Sequence, residues 1–245
     1  MELLGHSFIE IPLGTACLGS DVHDPYASDR ERPLREVFIS TFSISKYPTT
    51  RQQFAAYLKD TGQAFDESWG PIDSLGWPQE LGASGDLPMV TVSWEEAIRY
   101  CLWMTASADR TIDLPSEAEW EKAARGADDR IWPWGDHFDP SRCACAESGI
   151  GRLVPVSSFP ESASPFGVIN MSGLVWEWCR DYYDPDSHIR ASHLNPVNLI
   201  PAPQRVVKGG SVYCTKEIVR PACRDWTNSI NQGGGDDGFR VVLRG

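Results

Sequence analysis

Residues 169–181 read Ile-Asn-Met-Ser-Gly-Leu-Val-Trp-Glu-Trp-Cys-Arg-Asp, and no other stretch limits the fold so tightly. Trp176 and Trp178 flank Glu177, so a carboxylate sits between two of the largest apolar side chains. Such an anion is stable in a core only against a cation, a metal ion or backbone N–H groups. Two readings stay open. The side chains of Asn170 and Glu177 and the carbonyls of Gly173 and Val175 are oxygen donors that suit a hard cation such as calcium. Alternatively, a turn at Ser172-Gly173 leads into a buried strand, and backbone groups satisfy Glu177.

The run from Asn170 to Trp178 resembles the N-M-x-G-N-V-W-E-W signature of the formylglycine-generating enzyme family, also called the sulfatase-modifying-factor family. Other segments agree in order. Leu114-Pro115-Ser116-Glu117-Ala118-Glu119-Trp120-Glu121 resembles L-P-T-E-A-E-W-E, and Trp132-Pro133-Trp134-Gly135-Asp136 resembles Y-P-W-G-D/N. Gly209-Gly210-Ser211 resembles R-G-G-S, Gly238-Phe239-Arg240 resembles the closing G-F-R, and Lys46-Tyr47-Pro48-Thr49-Thr50 resembles the entry to the first helix. The resemblance spans nearly the whole chain. It implies the family's variant of the C-type-lectin fold and is specific for fold rather than activity. Asn170, Gly173, Val175 and Glu177 match a calcium site of the family, with Leu174 replacing its usual Asn.

In formylglycine-generating enzymes two cysteines near the C-terminus bind copper(I), and oxygen then oxidises a substrate cysteine. Their pattern is G-G-S-x-x-C-x-x-x-x-C. Here Cys214 stands at the first position and Val219 at the second; the next thiol is Cys223. A copper centre therefore requires Cys214 and Cys223 to meet by folding back. The expected function is oxygen- and metal-dependent oxidation of a peptide or small thiol. Cys214 and Cys223 are its candidate catalytic residues, with Ser211 and Trp176 lining the pocket. Arg224 either orients an anionic group or closes a carboxylate pair. The sulfoxide-synthase branch of the family is disfavoured, because its histidine-rich iron motif is missing from this sequence; His188 and His193 read as exposed loop residues.

A non-catalytic alternative is a ligand-binding protein of the variable-protein type, which displays residues 212–237. That surface holds Tyr213, Thr215, Lys216, Arg224, Asp225, Trp226 and Asn228. Its aromatic, hydroxyl and amide groups suit a peptide or small-molecule ligand.

The 245 residues are expected to form one α+β domain over 1–245, with short antiparallel strands, two or three helices and little regular structure. A net charge of −12 argues against nucleic-acid and anionic-membrane partners. The N-terminus lacks a signal-peptide pattern, which predicts a cytoplasmic protein. Of seven cysteines, Cys101 reads as core, and Cys143-Ala144-Cys145 does not have zinc spacing. Thr49 or Thr50 caps a first helix ending at Gly62; Ser93 with Glu96 opens a second, reaching about Ala106; Ser116 with Glu119 opens a third, ending near Gly126. Residues 7–20 read as a strand pair turning at Gly14-Thr15, and Val154–Val156, Val206–Lys208 and Phe239–Leu243 read as strands.

Overall fold

The computed structural model describes residues 1–63, 85–108, 110–225 and 235–244. Local capping sets its three longer helices. Helix α1 (Arg51–Thr61) starts at Thr50, whose side chain accepts from Gln53 N at 3.3 Å while Gln53 Oε1 accepts from Thr50 N at 2.7 Å. Gly62 ends it in the left-handed conformation. Helix α2 (Trp94–Ala108) opens with Glu96 Oε2 accepting from Ser93 N, and runs slightly past its expected end. Helix α3 (Glu117–Arg125) opens on the reciprocal Ser116–Glu119 pair. A short turn of helix, α4 (Ser187–Arg190), was not foreseen.

The first sheet has the order β1 (Glu2–Leu3), β2 (His6–Ile11), β5 (Phe42–Ser45), β10 (Val242–Arg244) and β6 (Thr111–Asp113). All of its pairings are antiparallel, and it joins the start of the chain to its end. Strand β3 (Gly14–Leu18) pairs with β4 (Arg35–Ile39), so residues 7–20 hold two strands that belong to different sheets. The third sheet places β7 (Trp176–Tyr182) between β8 (Arg205–Lys208), antiparallel, and β9 (Asp237–Gly238), parallel. Val154–Val156 forms no strand, and of the expected run Phe239–Leu243 only Val242 and Leu243 are strand, in β10, while β9 precedes it on another sheet.

Helices α1 and α2 turn Phe54, Tyr57, Leu58, Ala97, Tyr100, Cys101 and Met104 inward. Each such large side chain contributes ~1.5–3 kcal/mol on burial. The Phe54 and Tyr100 rings stack at 5.7 Å, and Phe239 meets Tyr100 edge-on at 5.3 Å. Leu102, expected to follow the helical period, is 61% exposed, because it lies on the face of exposed Arg99 and Ala106, away from Ala97, Tyr100, Cys101 and Met104. Among the described residues no helix is long and apolar enough to cross a membrane.

Candidate functional site

The Gly209-Gly210-Ser211 turn is docked on the turn before β7. Gly173 N donates to Gly209 O at 2.8 Å, and Val212 N donates to Leu174 O at 3.2 Å. Gly210 has φ of +71°, and a Cβ there would stand 2.8 Å from the Val219 side chain. This close approach fixes the buried Ser211 and the chain leading to Cys214. Ser211 Oγ lies 3.5 Å from Cys214 Sγ and accepts from Tyr213 N at 3.3 Å.

Cys214 is half-buried, and Cys223 is buried in the apolar cluster that also holds Trp176. Cys214 packs against the same large cluster, which runs from Phe8 to Leu243, and Ser211 lies beside Cys214. Burial pushes the Cys214 thiol up, against the Ser211 hydrogen bonds. Burial, with the nearby Glu31 carboxylate, pushes Cys223 up to about 12. The two sulfurs are near enough to feel each other's charge. Both thiols are therefore neutral at pH 7 unless a soft metal displaces their protons. The pair fits such an ion in donor type and apolar setting.

Val219 is fully buried, and its carbonyl accepts from Ser172 Oγ at 2.6 Å. Its neighbours are Trp132, Cys143 and Cys145, with Cys214 packed against them. The Cys-Ala-Cys segment thus faces the position where the family pattern has its second thiol. The Cys143 S–H lowers the pKa of Cys145, and Cys143 itself is pushed up by holding that shared proton and by burial.

Glu177 meets a cation, and that cation is Arg240. Nε reaches Oε2 at 2.6 Å and Nη2 reaches Oε1 at 2.7 Å; Trp120 Nε1 adds a 2.6 Å bond to Oε2. Arg240 also donates to the carbonyl of Ile169 at 2.9 Å and of Ser45 at 3.1 Å. Within the predicted calcium set, Glu177 is already neutralised, and a dication beside it would face the guanidinium. Asn170 Nδ2 donates to Val156 O at 2.7 Å, while its buried Oδ1 lacks a hydrogen-bond partner. That oxygen suits a cation, but the four-donor set as a whole does not fit one while Arg240 is in place.

The predicted binding surface is divided. Tyr213 is 56% exposed, Thr215 is exposed, and Lys216 and Asp225 are half-buried. Trp226 and Asn228 lie outside the described residues. Arg224 is not part of the surface. It is buried against Glu117, with Nε–Oε1 at 2.6 Å and Nη2–Oε2 at 2.8 Å, so of its two possible roles the carboxylate pair is the one built.

A charged group that was not foreseen from the sequence surrounds that pair. Lys208 stands between Glu117 and Glu121 at 3.5 and 3.1 Å, and His188 is 3.4 Å from Glu117. His188 is 1% exposed, contrary to the expectation of a loop histidine. Asp181 accepts from the backbone N–H of Glu117 and of Asn198, each at 2.8 Å. Burial, then the Glu117 charge, pushes its pKa up to about 7. Asp181, Glu117 and His188 line a cavity of about 590 Å³ together with Asn198, Leu199 and Ile200. No local signal marks this group, because its members are brought together from five separate segments.

Residues 3–244 match the family of the sulfatase-modifying factor enzyme 1-like domain. The formylglycine-generating enzyme of Thermomonospora curvata is 29% identical, covering 98% of this chain and 94% of its own length. The inactive C-alpha-formylglycine-generating enzyme 2 of Mus musculus is 31% identical, over 74% of this chain and 72% of its own. PvdO from Pseudomonas aeruginosa superposes with a TM-score of 0.84 at 24% identity, covering 98% and 95% of the two chains. Treponema denticola variable protein 1 gives 0.76 at 20% identity with the same coverage. These two structures bear on fold alone, and they carry the C-type-lectin-like architecture seen here. With the matched motifs in their expected places, this chain belongs to the sulfatase-modifying factor, or formylglycine-generating enzyme, family.

Proposed function

We propose that this protein is an oxygen- and metal-dependent oxidoreductase acting on a peptide or small thiol, with Cys214 and Cys223 as its thiol centre. The observation that carries this reading is that Cys214 and Cys223 belong to one apolar cluster and lie near enough to influence each other's charge. Cys214, half-open to solvent, packs where Cys223 and Trp176 are buried. Copper(I) held by such thiolates would supply the chemistry with dioxygen. Ser211, fixed by the Gly209-Gly210 turn, orients Cys214, and Trp176 is buried in the same cluster. Relatives named as formylglycine-generating enzymes support an oxidative role. Seven unpaired cysteines support a reducing, cytoplasmic setting.

The test is oxygen uptake by copper-loaded protein with cysteine and with a cysteine-containing peptide, beside Cys214→Ala and Cys223→Ala. Uptake lost in both variants is the expected result. Uptake indifferent to Cys214 would sink the proposal.

A second reading is favoured by one observation: Tyr213, Thr215 and Ile218 project into solvent beside the thiol. They form an adaptable surface for a peptide or small molecule without catalysis. A relative named as inactive is consistent with that role. Ligand binding lost in Tyr213→Ala, with no oxygen uptake in the unsubstituted protein, would favour this reading.

A further inference from the structure

Cys143 and Cys145 lie against Val219, and the centre proposed above does not use them. Both are in extended backbone, with φ and ψ of −147° and 153° at Cys143 and −146° and −179° at Cys145. Alternate residues of an extended segment point to one side. Both side chains are accordingly buried in one small apolar cluster with Trp132 and Val219. The segment is clamped on both edges: Leu174 N donates to Ala144 O at 2.8 Å, and Ala146 N donates to Cys214 O at 2.9 Å.

Two buried thiols on one side have few uses. A disulfide between residues this close in sequence closes a small, strained ring. Zinc takes four ligands, and among the described residues no three His, Cys, Asp or Glu side chains converge. A soft cation satisfied by two sulfurs fits both limits. It spans a longer gap than a sulfur–sulfur bond, and the backbone clamp at Ala144 and Ala146 holds both residues in place.

We propose that Cys143 and Cys145 form a two-coordinate site for a soft monovalent metal ion, copper(I) or its silver(I) analogue, separate from Cys214 and Cys223. Binding exchanges the two thiol protons for the cation, with no change of oxidation state.

The test is an anaerobic titration of the reduced protein with silver(I) against a competing chelator. Cys143→Ala, Cys145→Ala and the Cys214→Ala/Cys223→Ala double variant are run alongside. Affinity at one site falls more than about 100-fold in each of the first two, because even outer-sphere changes cost about 10–100-fold. The same site persists in the double variant. Loss in the double variant with retention in Cys145→Ala overturns this proposal and leaves the Cys214–Cys223 centre standing. Absence of silver binding also overturns it. Since a buried Cys→Ala change can impair folding, X-ray absorption is read on the silver-loaded double variant as well. Two sulfur neighbours are expected; one sulfur, or nitrogen and oxygen neighbours, refutes the site.

Discussion

Arg240 grips Glu177 through both nitrogens of its fork, at 2.6 and 2.7 Å, and ties the Trp-Glu-Trp strand to the C-terminal strands across 63 residues of sequence. Both side chains are essentially inaccessible. Removing one member strands the other as a buried charge. Arg240→Met is expected to cost about 3–5 kcal/mol in urea unfolding, the range for broken buried pairs. Glu177→Gln should cost a similar amount, and calcium should leave the melting temperature of the unsubstituted protein unchanged. A calcium-dependent rise in melting temperature that Glu177→Gln abolishes would reinstate the metal at this position.

Asp181 gives a pH signature. Its folded pKa of about 7 lies above the ordinary carboxylate value of 3.8. The folded state therefore keeps a proton that the unfolded chain releases. The penalty for burying this group is fully present above pH 7 and is relieved as pH falls toward about 4, with a slope of at most ~1.4 kcal/mol per pH unit. Glu117 and Arg224 face the same group and stay charged through this window. The difference in unfolding free energy between the unsubstituted protein and Asp181→Asn should rise as pH falls from 7 to 4. A difference independent of pH would show that Asp181 titrates normally.

Gly173 allows the turn before β7 to touch the Cys-Ala-Cys segment. Its φ is +76°, and a Cβ would stand 2.3 Å from Ala144 O. Gly173→Ala combines a disfavoured backbone region with a backbone clash, for a loss of about 2 kcal/mol or more. Chemical denaturation reads the loss, and a variant as stable as the parent would contradict the close approach.

Thiol accessibility sorts the cysteines. Cys17 and Cys214 are half-buried; Cys101, Cys143, Cys145, Cys179 and Cys223 are buried. Mass spectrometry after brief iodoacetamide treatment of native protein should find label on Cys17 and Cys214 alone. Labelling should be slow at pH 7 and faster at pH 9, because burial raises both pKa values. Early label on Cys223 would show that the cluster around it opens to solvent.

What the sequence determined by itself is the local frame and, through ordered motifs, the family. The Ser93–Glu96 and Ser116–Glu119 capping boxes formed where their spacing placed them, since such bonds join residues three apart and need no tertiary context. The turn at Gly173 was legible from its local chemistry, and the apolar run around Glu177 marked the strand after it, although its partners β8 and β9 come from distant segments. Tertiary structure alone decided which charge neutralises Glu177, that Arg224 turns inward to Glu117, that His188 is buried, and that Cys143, Cys145 and Cys214 surround Val219. Each joins groups from distant segments, whose meeting depends on the path of the whole chain. An ion pair or a thiol cluster has no sequence period, so its partners become visible only when the folded chain sets them within a few ångströms of each other.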